Sequence, residues 1–278
     1  MSGSGVALSC EGLVQIYRIG DSQVAALRGI DLIVGAGEQV ALMGPSGSGK
    51  STLLGLLAGV LRPSAGRLTL DGVDTVRTDD ASLRRLRASR VGTLLQGAPR
   101  NLLGHLDAVQ NIGFARRAAP PQTRRRLPAP MELLDAVGLA DVARTPIARL
   151  SGGEQQRAAL AAAIANGPGL VLADEPTSEL DTTARDQVLD LMRRTTASTG
   201  GTLVLVTHDP AVAAQLPRSI VLRDGRVVAD SEQGDPTSVV TEDGQVPLPA
   251  ALADEWPAGT RVSFHRDGDS LRLTKEDT

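Results

Sequence analysis

Gly44-Pro45-Ser46-Gly47-Ser48-Gly49-Lys50-Ser51 is the stretch on which the fold turns. It satisfies the pattern G-x-x-x-x-G-K-[ST]. It falls between an apolar strand pattern at 39–43 and an apolar, helix-forming run at 51–61 that stops at Arg62-Pro63. In that setting the glycines let backbone N–H groups converge on phosphate oxygens, and the start of the helix adds positive potential. Lys50 is placed to reach the β- and γ-phosphates and Ser51 to ligate Mg²⁺, with Thr52 following in the first turn. The stretch therefore predicts a nucleoside triphosphate, read as ATP with magnesium.

Upstream, 6–8, 13–17 and 30–34 read as short strands, with turn signals at Gly20-Asp21 and Gly35-Ala36-Gly37, so a β-rich flank leads into the nucleotide strand. Downstream, from about 82 to 165, strand signals nearly vanish, and an arginine-rich segment, 131–137 and 154–165 read as helices. Strand patterns return at 170–173, 203–206 and 219–222, with a helix over 183–195. Buried apolar strands alternating with helices imply a parallel sheet covered on both faces.

The composition sets outer bounds. With 278 residues and 41% hydrophobic content the chain can build a core, and with 1% aromatic residues that core rests on Ala, Val, Leu and Ile. A net charge of -3 gives no general attraction to nucleic acid, and no direct nucleic-acid contact is expected. Yet Arg84, Arg85, Arg87, Arg90, Arg116, Arg117, Arg124, Arg125 and Arg126 crowd one region, as a solvated helical face or as a surface for anionic lipid headgroups or an acidic partner. Cys10 has no partner for an internal disulfide, and cytoplasmic residence fits. The first five residues lack a signal-peptide pattern, and no apolar run approaches the ~18 residues of a membrane span. Any membrane part is expected on another chain.

Two further stretches carry chemistry. Leu170-Val171-Leu172-Ala173-Asp174-Glu175-Pro176 is an apolar strand ending in two carboxylates. Asp174 suits the magnesium shell, and Glu175 suits polarisation of an attacking water. Leu150-Ser151-Gly152-Gly153-Glu154-Gln155-Gln156-Arg157 opens a helix with a serine and two glycines, which reads either as an ordinary cap or as a second anion-binding helix start.

With these three stretches together, the chain resembles the nucleotide-binding subunit of an ATP-binding cassette (ABC) transporter over roughly residues 6–230. The octet 150–157 reproduces that family's signature motif in full. The resemblance implies a P-loop NTPase fold of the ABC ATPase type: an α/β domain with a mixed sheet core, an antiparallel β flank and an α-helical subdomain at about 82–165, in a domain spanning 1–230. It also implies a homodimer in which Ser151, Gly152 and Gly153 complete the site on the partner's loop. Gln96 would be the Q-loop residue near magnesium and the γ-phosphate, Asp181 the D-loop aspartate, His208 the switch histidine, and Tyr17 the aromatic that stacks on adenine. The chain departs from the pattern at Leu95, where phenylalanine is frequent, at Glu179, where a small residue is usual, and at Ala162, where arginine is common.

Residues 17–20 with 24–27, and 101–112, are similar to the lipoprotein-release and macrolide-export group of that family. That likeness implies a separate transmembrane permease of the FtsX or MacB kind and a peripheral position on the cytoplasmic face of the membrane. Alternatives in the same reading are a division-type complex controlling cell-wall enzymes and a soluble regulatory ATPase.

The tail reads as a linker at 231–238 and a small β-rich segment at 239–278, with a short helix at 250–256 and strands at 260–265 and 270–273. It resembles the swapped hairpin of AbrB-type domains. Its acidic residues outnumber its basic ones, which favours dimerisation over DNA contact.

Overall fold

The computed structural model describes residues 5–178, 180–232, 246, 256, 260–268 and 270–276. Its centre is a six-stranded sheet built from β3 (Gln39–Met43), β6 (Val91–Leu94), β7 (Leu170–Asp174), β8 (Thr202–Val206), β9 (Arg218–Arg223) and β10 (Arg226–Glu232) in the order β10-β9-β3-β8-β7-β6. All neighbours are parallel except β10, which returns antiparallel along β9. Beside it lies an antiparallel sheet of β1 (Leu8–Ile19), β2 (Ser22–Val34), β4 (Ala65–Leu70) and β5 (Val73–Asp74), ordered β2-β1-β4-β5.

The period-two alternation of the central strands divides the core. Val40, Leu42, Leu172 and Val204 point toward the antiparallel sheet and meet helix α1 (Lys50–Leu57), whose Leu53, Leu54, Leu56 and Leu57 are all buried there. Ala41, Val171, Ala173, Leu203 and Leu205 point the other way. On that face they pack with helices α3 (Ala108–Arg116), α5 (Pro130–Ala136), α6 (Gly152–Ile164), α7 (Thr182–Ser198) and α8 (Pro210–Ala213), α6 and α7 contributing most of the buried side chains, whereas α2 (Asp80–Arg90) sets Leu86 against the opposite core and the short α4 (Pro121–Arg124) buries no side chain. Arg218 fastens the far edge: its guanidinium donates to Asp230 at 2.6 Å and to Glu38 at 2.7 Å, tying β9 to β10 and to the turn before β3.

Several expectations need correction. The helical stretch 82–165 is interrupted by β6, the edge strand of the central sheet, whose four residues Val-Gly-Thr-Leu are too short to stand out beside an arginine-rich helix. The strands expected at 6–8 and 13–17 are one strand, because register shifts around Leu13 carry β1 past Glu11-Gly12. β2 begins at Ser22 rather than near 30, and β4 and β5 were not expected at all. The helix expected over 51–61 ends at Leu57.

In the tail, β11 (Val262–Asp267) and β12 (Ser270–Lys275) form an antiparallel hairpin in which Phe264 faces Leu273. Phe264 remains 61% exposed. Ser231 and Glu232 belong to β10, while the rest of the linker expected at 231–238 and nearly all of the helix expected at 250–256 lie outside the described residues. Glu179 also lies outside them.

Candidate nucleotide site

The carboxyl ends of the parallel strands open into one cleft of about 600 Å3. The loop after β3, the residue Gln96 beyond β6, the Asp174-Glu175 pair at the end of β7 and His208 beyond β8 all line it. This is where an open parallel sheet places its ligands, because the connections diverge there.

The phosphate loop is shaped by backbone constraint. Gly44 has φ of 145° and presses against β9 so closely that a Cβ would run into the carbonyl oxygen of Leu222. Gly49, at φ 101°, is the N-cap of α1, and no side chain satisfies the first-turn N–H groups. A helix start left free of side-chain caps is a ready acceptor of anionic oxygen. Pro45, Ser46, Gly47, Ser51 and Thr52 line the cleft as expected, whereas the Ser48 side chain is buried away from it. Lys50 Nζ donates to the carbonyls of Gly44 and Pro45, each at 2.8 Å, so the ammonium is held across the mouth of the loop.

Opposite Lys50 stand the carboxylates. Burial pushes the Asp174 carboxyl above its ordinary range; a hydrogen bond from the Ser51 hydroxyl opposes this, Glu175 adds to it, and Lys50 and Arg100 pull the other way. Glu175 adopts φ of 49°, a left-handed conformation that costs a side-chain-bearing residue about 1–3 kcal/mol. Its N–H donates to the Val206 carbonyl at 3.0 Å, and its Oε1 lies 2.8 Å from His208 Nδ1. Thus the strained turn aims Glu175 at the imidazole and into the cleft. Tyr17, half-buried on β1, lies at the rim with its hydroxyl 3.5 Å from Thr52 Oγ1.

Ser151, Gly152, Gly153 and Asp181 do not line this cleft. Ser151 caps α6 in a reciprocal box: its hydroxyl and N–H both donate to Glu154 Oε2, at 2.7 and 2.8 Å, and hold that carboxyl below its ordinary range. Asp181 caps α7 by accepting from Ala184 N at 2.9 Å. The link to the cleft is indirect. Gln156, buried on α6, donates to the Pro176 carbonyl at 2.8 Å, one residue beyond Glu175.

Two participants, and one contact of a third, carried no readable signal. Ala26 lines the cleft from β2, Arg100 acts on Asp174 from the loop after β6, and Gln156 finds Pro176 only through the tertiary fold.

A phosphate loop at the strand ends, a strand-end carboxylate pair and a signature helix define an ATP-hydrolysing cassette. The ABC transporter family profile matches residues 27–178, and the chain belongs to that family as an ATP-binding, ATP-hydrolysing subunit. It is 42% identical to the lipoprotein-releasing system ATP-binding protein LolD 1 of Caulobacter vibrioides, over 80% of this chain and 95% of that one. It is 40% identical to the macrolide export ATP-binding/permease protein MacB 2 of Aeromonas hydrophila, over 81% of this chain but 34% of that longer protein. Among solved structures, the cassette MJ0796, dimeric in a post-hydrolysis state with ADP and Pi, superposes with a TM-score of 0.74 at 33% identity, covering 81% of this chain and 98% of that one.

Proposed function

We propose that this chain is the ATP-driven motor of a membrane complex, acting as a homodimer whose two sites are each completed by the partner's Ser151, Gly152 and Gly153. The contact between Glu175 and His208 across from Lys50 is the observation that carries the proposal. A water held by Glu175 attacks the γ-phosphorus; its proton passes to the Glu175 carboxylate, and the bond to the bridging oxygen breaks to release ADP. Lys50 neutralises charge on the γ-phosphate oxygens, His208 donates a hydrogen bond to them, and the loop N–H groups hold the β-phosphate. Tyr17 stacks on the adenine. Asp181 lies at the junction between subunits.

The hydroxyl of Ser51, the amide oxygen of Gln96 and the Asp174 carboxylate line the same cleft and form an all-oxygen set that suits Mg²⁺. Bound there, magnesium would screen the phosphate charge.

Coupling to a few-span permease is assigned to the groove of about 360 Å3 between β6, α3 and α6, which includes exposed Phe114 and the small Ala162. It adjoins Gln96 along the same connection, so magnesium and γ-phosphate occupancy can be felt there. On this reading the subunit works peripherally, on the cytoplasmic membrane face. The tail 239–278 is read as a separate dimerising unit; an isolated two-stranded hairpin is marginal alone, and its exposed Phe264 asks for a twin.

The test is Glu175→Gln. It should bind ATP, accumulate as a closed dimer in sizing experiments, and release phosphate at least about a hundredfold more slowly than wild type. Wild-type turnover would remove Glu175 from its assigned role.

A further inference from the structure

We infer that the arginine face of α2, centred on Arg84 and Arg87, binds the phosphate headgroups of an anionic lipid surface. The two residues stand three apart on one helix face and line an open pocket of about 440 Å3 whose other walls include Val91 and Val60, the latter 57% exposed.

Several arginines are answered by carboxylates, among them Arg62 by Asp80, Arg218 by Asp230 and Glu38, and, at the end of α2 itself, Arg90 by Asp71. The guanidinium groups of Arg84 and Arg87 make no hydrogen bond or ion pair among the described residues. The acids nearest in sequence are occupied, since Asp79 caps α2 and Asp80 holds Arg62. Between residues 81 and 131 the sole carboxylate is Asp107, and it caps α3. A chain with net charge -3 thus sets two uncompensated guanidinium groups side by side on α2.

Location and chemistry select the ligand. The pocket shares Ala88, Val91 and Thr93 with the groove assigned above to the permease, and the orientation toward the bilayer rests on that reading. The basic groups extend beyond the groove: Ala118 lies on its wall beside Arg117. Arg116 donates to the carbonyls of Arg124 and Leu127, folding the next arginine cluster onto the end of α3. Cations recur on α2 and along the α3–α4 connection, and repeated cationic sites suit the many phosphates of a headgroup layer. Guanidinium forks donate to phosphate oxygens in pairs, and Val60 offers a shallow apolar contact beside them.

The experiment is sedimentation of the purified full chain with vesicles of phosphatidylcholine alone or mixed with phosphatidylglycerol. Wild type should bind the mixed vesicles, ignore the neutral ones, and release as salt rises. Arg84→Gln with Arg87→Gln should weaken binding about 25-fold, at about fivefold per arginine near a charged surface. Its melting temperature should stay at the wild-type value, excluding misfolding. Arg67→Gln with Arg77→Gln, an equal charge change on the β flank, should bind as wild type. Equal binding to both vesicle types, retained binding in the α2 variant, or equal loss in both variants overturns the proposal. Phe114→Ala separates it from the groove reading: loss of the permease from detergent extracts with vesicle binding intact supports both. If instead the α2 variant loses the permease while wild type ignores anionic vesicles, the face serves an acidic protein segment and the lipid proposal falls.

Discussion

The Nδ1 atom of His208 lies 2.8 Å from Oε1 of Glu175, although the two side chains differ sharply in exposure, at 71% and 12%. The carboxylate is set by its backbone and the imidazole reaches over it from the end of β8. His208→Ala should therefore leave ATP affinity within a few-fold while slowing phosphate release about a hundredfold. Equilibrium nucleotide binding and steady-state phosphate release, measured on the same preparation, check this. A parallel fall in both would mean that His208 serves binding rather than the transition state.

Asp174 carries a cost of its position. Its carboxyl is raised chiefly by burial, so the charged form is held at a greater cost in the folded chain than in the unfolded one. The penalty is absent below the ordinary carboxylate pKa of about 4 and grows as pH rises through the raised value. Asp174→Asn should accordingly melt higher than wild type at neutral pH, by about 1 kcal/mol of stability, with the gap closing in acid, while ATPase activity collapses. Thermal melts across pH without nucleotide decide it; a gap that widens on acidification contradicts the sign.

Tyr17→Ala should weaken ATP binding about fivefold, the loss of ~1 kcal/mol of ring stacking. Tyr17→Phe, which keeps the ring and gives up only the 3.5 Å approach to Thr52, should bind as wild type. If Phe behaves like Ala, the hydroxyl matters and stacking does not.

Removal of residues 236–278 should lower the dimer fraction in sedimentation while ATP binding persists, because the cleft is built entirely from residues 26–208. An unchanged sedimentation profile would leave the tail without its assigned role.

The legible parts of this fold share one property: the decisive residues follow directly on apolar strands. Asp174, Glu175 and His208 each come within two residues of an apolar run, and Lys50 ends the loop that leaves one, so local pattern and site position coincide. β6 failed that test because Val91-Gly92-Thr93-Leu94 is brief and its burial comes from α6 and β7 rather than from its own alternation. The first half of β2 is exposed, so no apolar period announces it, and only its pairing with β1 across the Gly20-Asp21 turn makes it a strand. Ser48 shows a different limit: it belongs to the loop pattern, but sequence could not say that its side chain turns inward. Gln156 sits twenty residues from Pro176, and nothing local connects them.

That last hydrogen bond gives the molecule a transmission. The helix beginning at Ser151 hangs from the main chain immediately after Glu175, so α6 cannot swing without either carrying the hydrolytic turn with it or leaving a buried carbonyl bare, at about 1–3 kcal/mol. Whatever grips the exposed start of that helix thereby holds a lever on the timing of bond cleavage inside its own chain. A second subunit engaging there would act on this one's chemistry twice, once by covering the nucleotide it holds and once by setting the clutch on the next stroke.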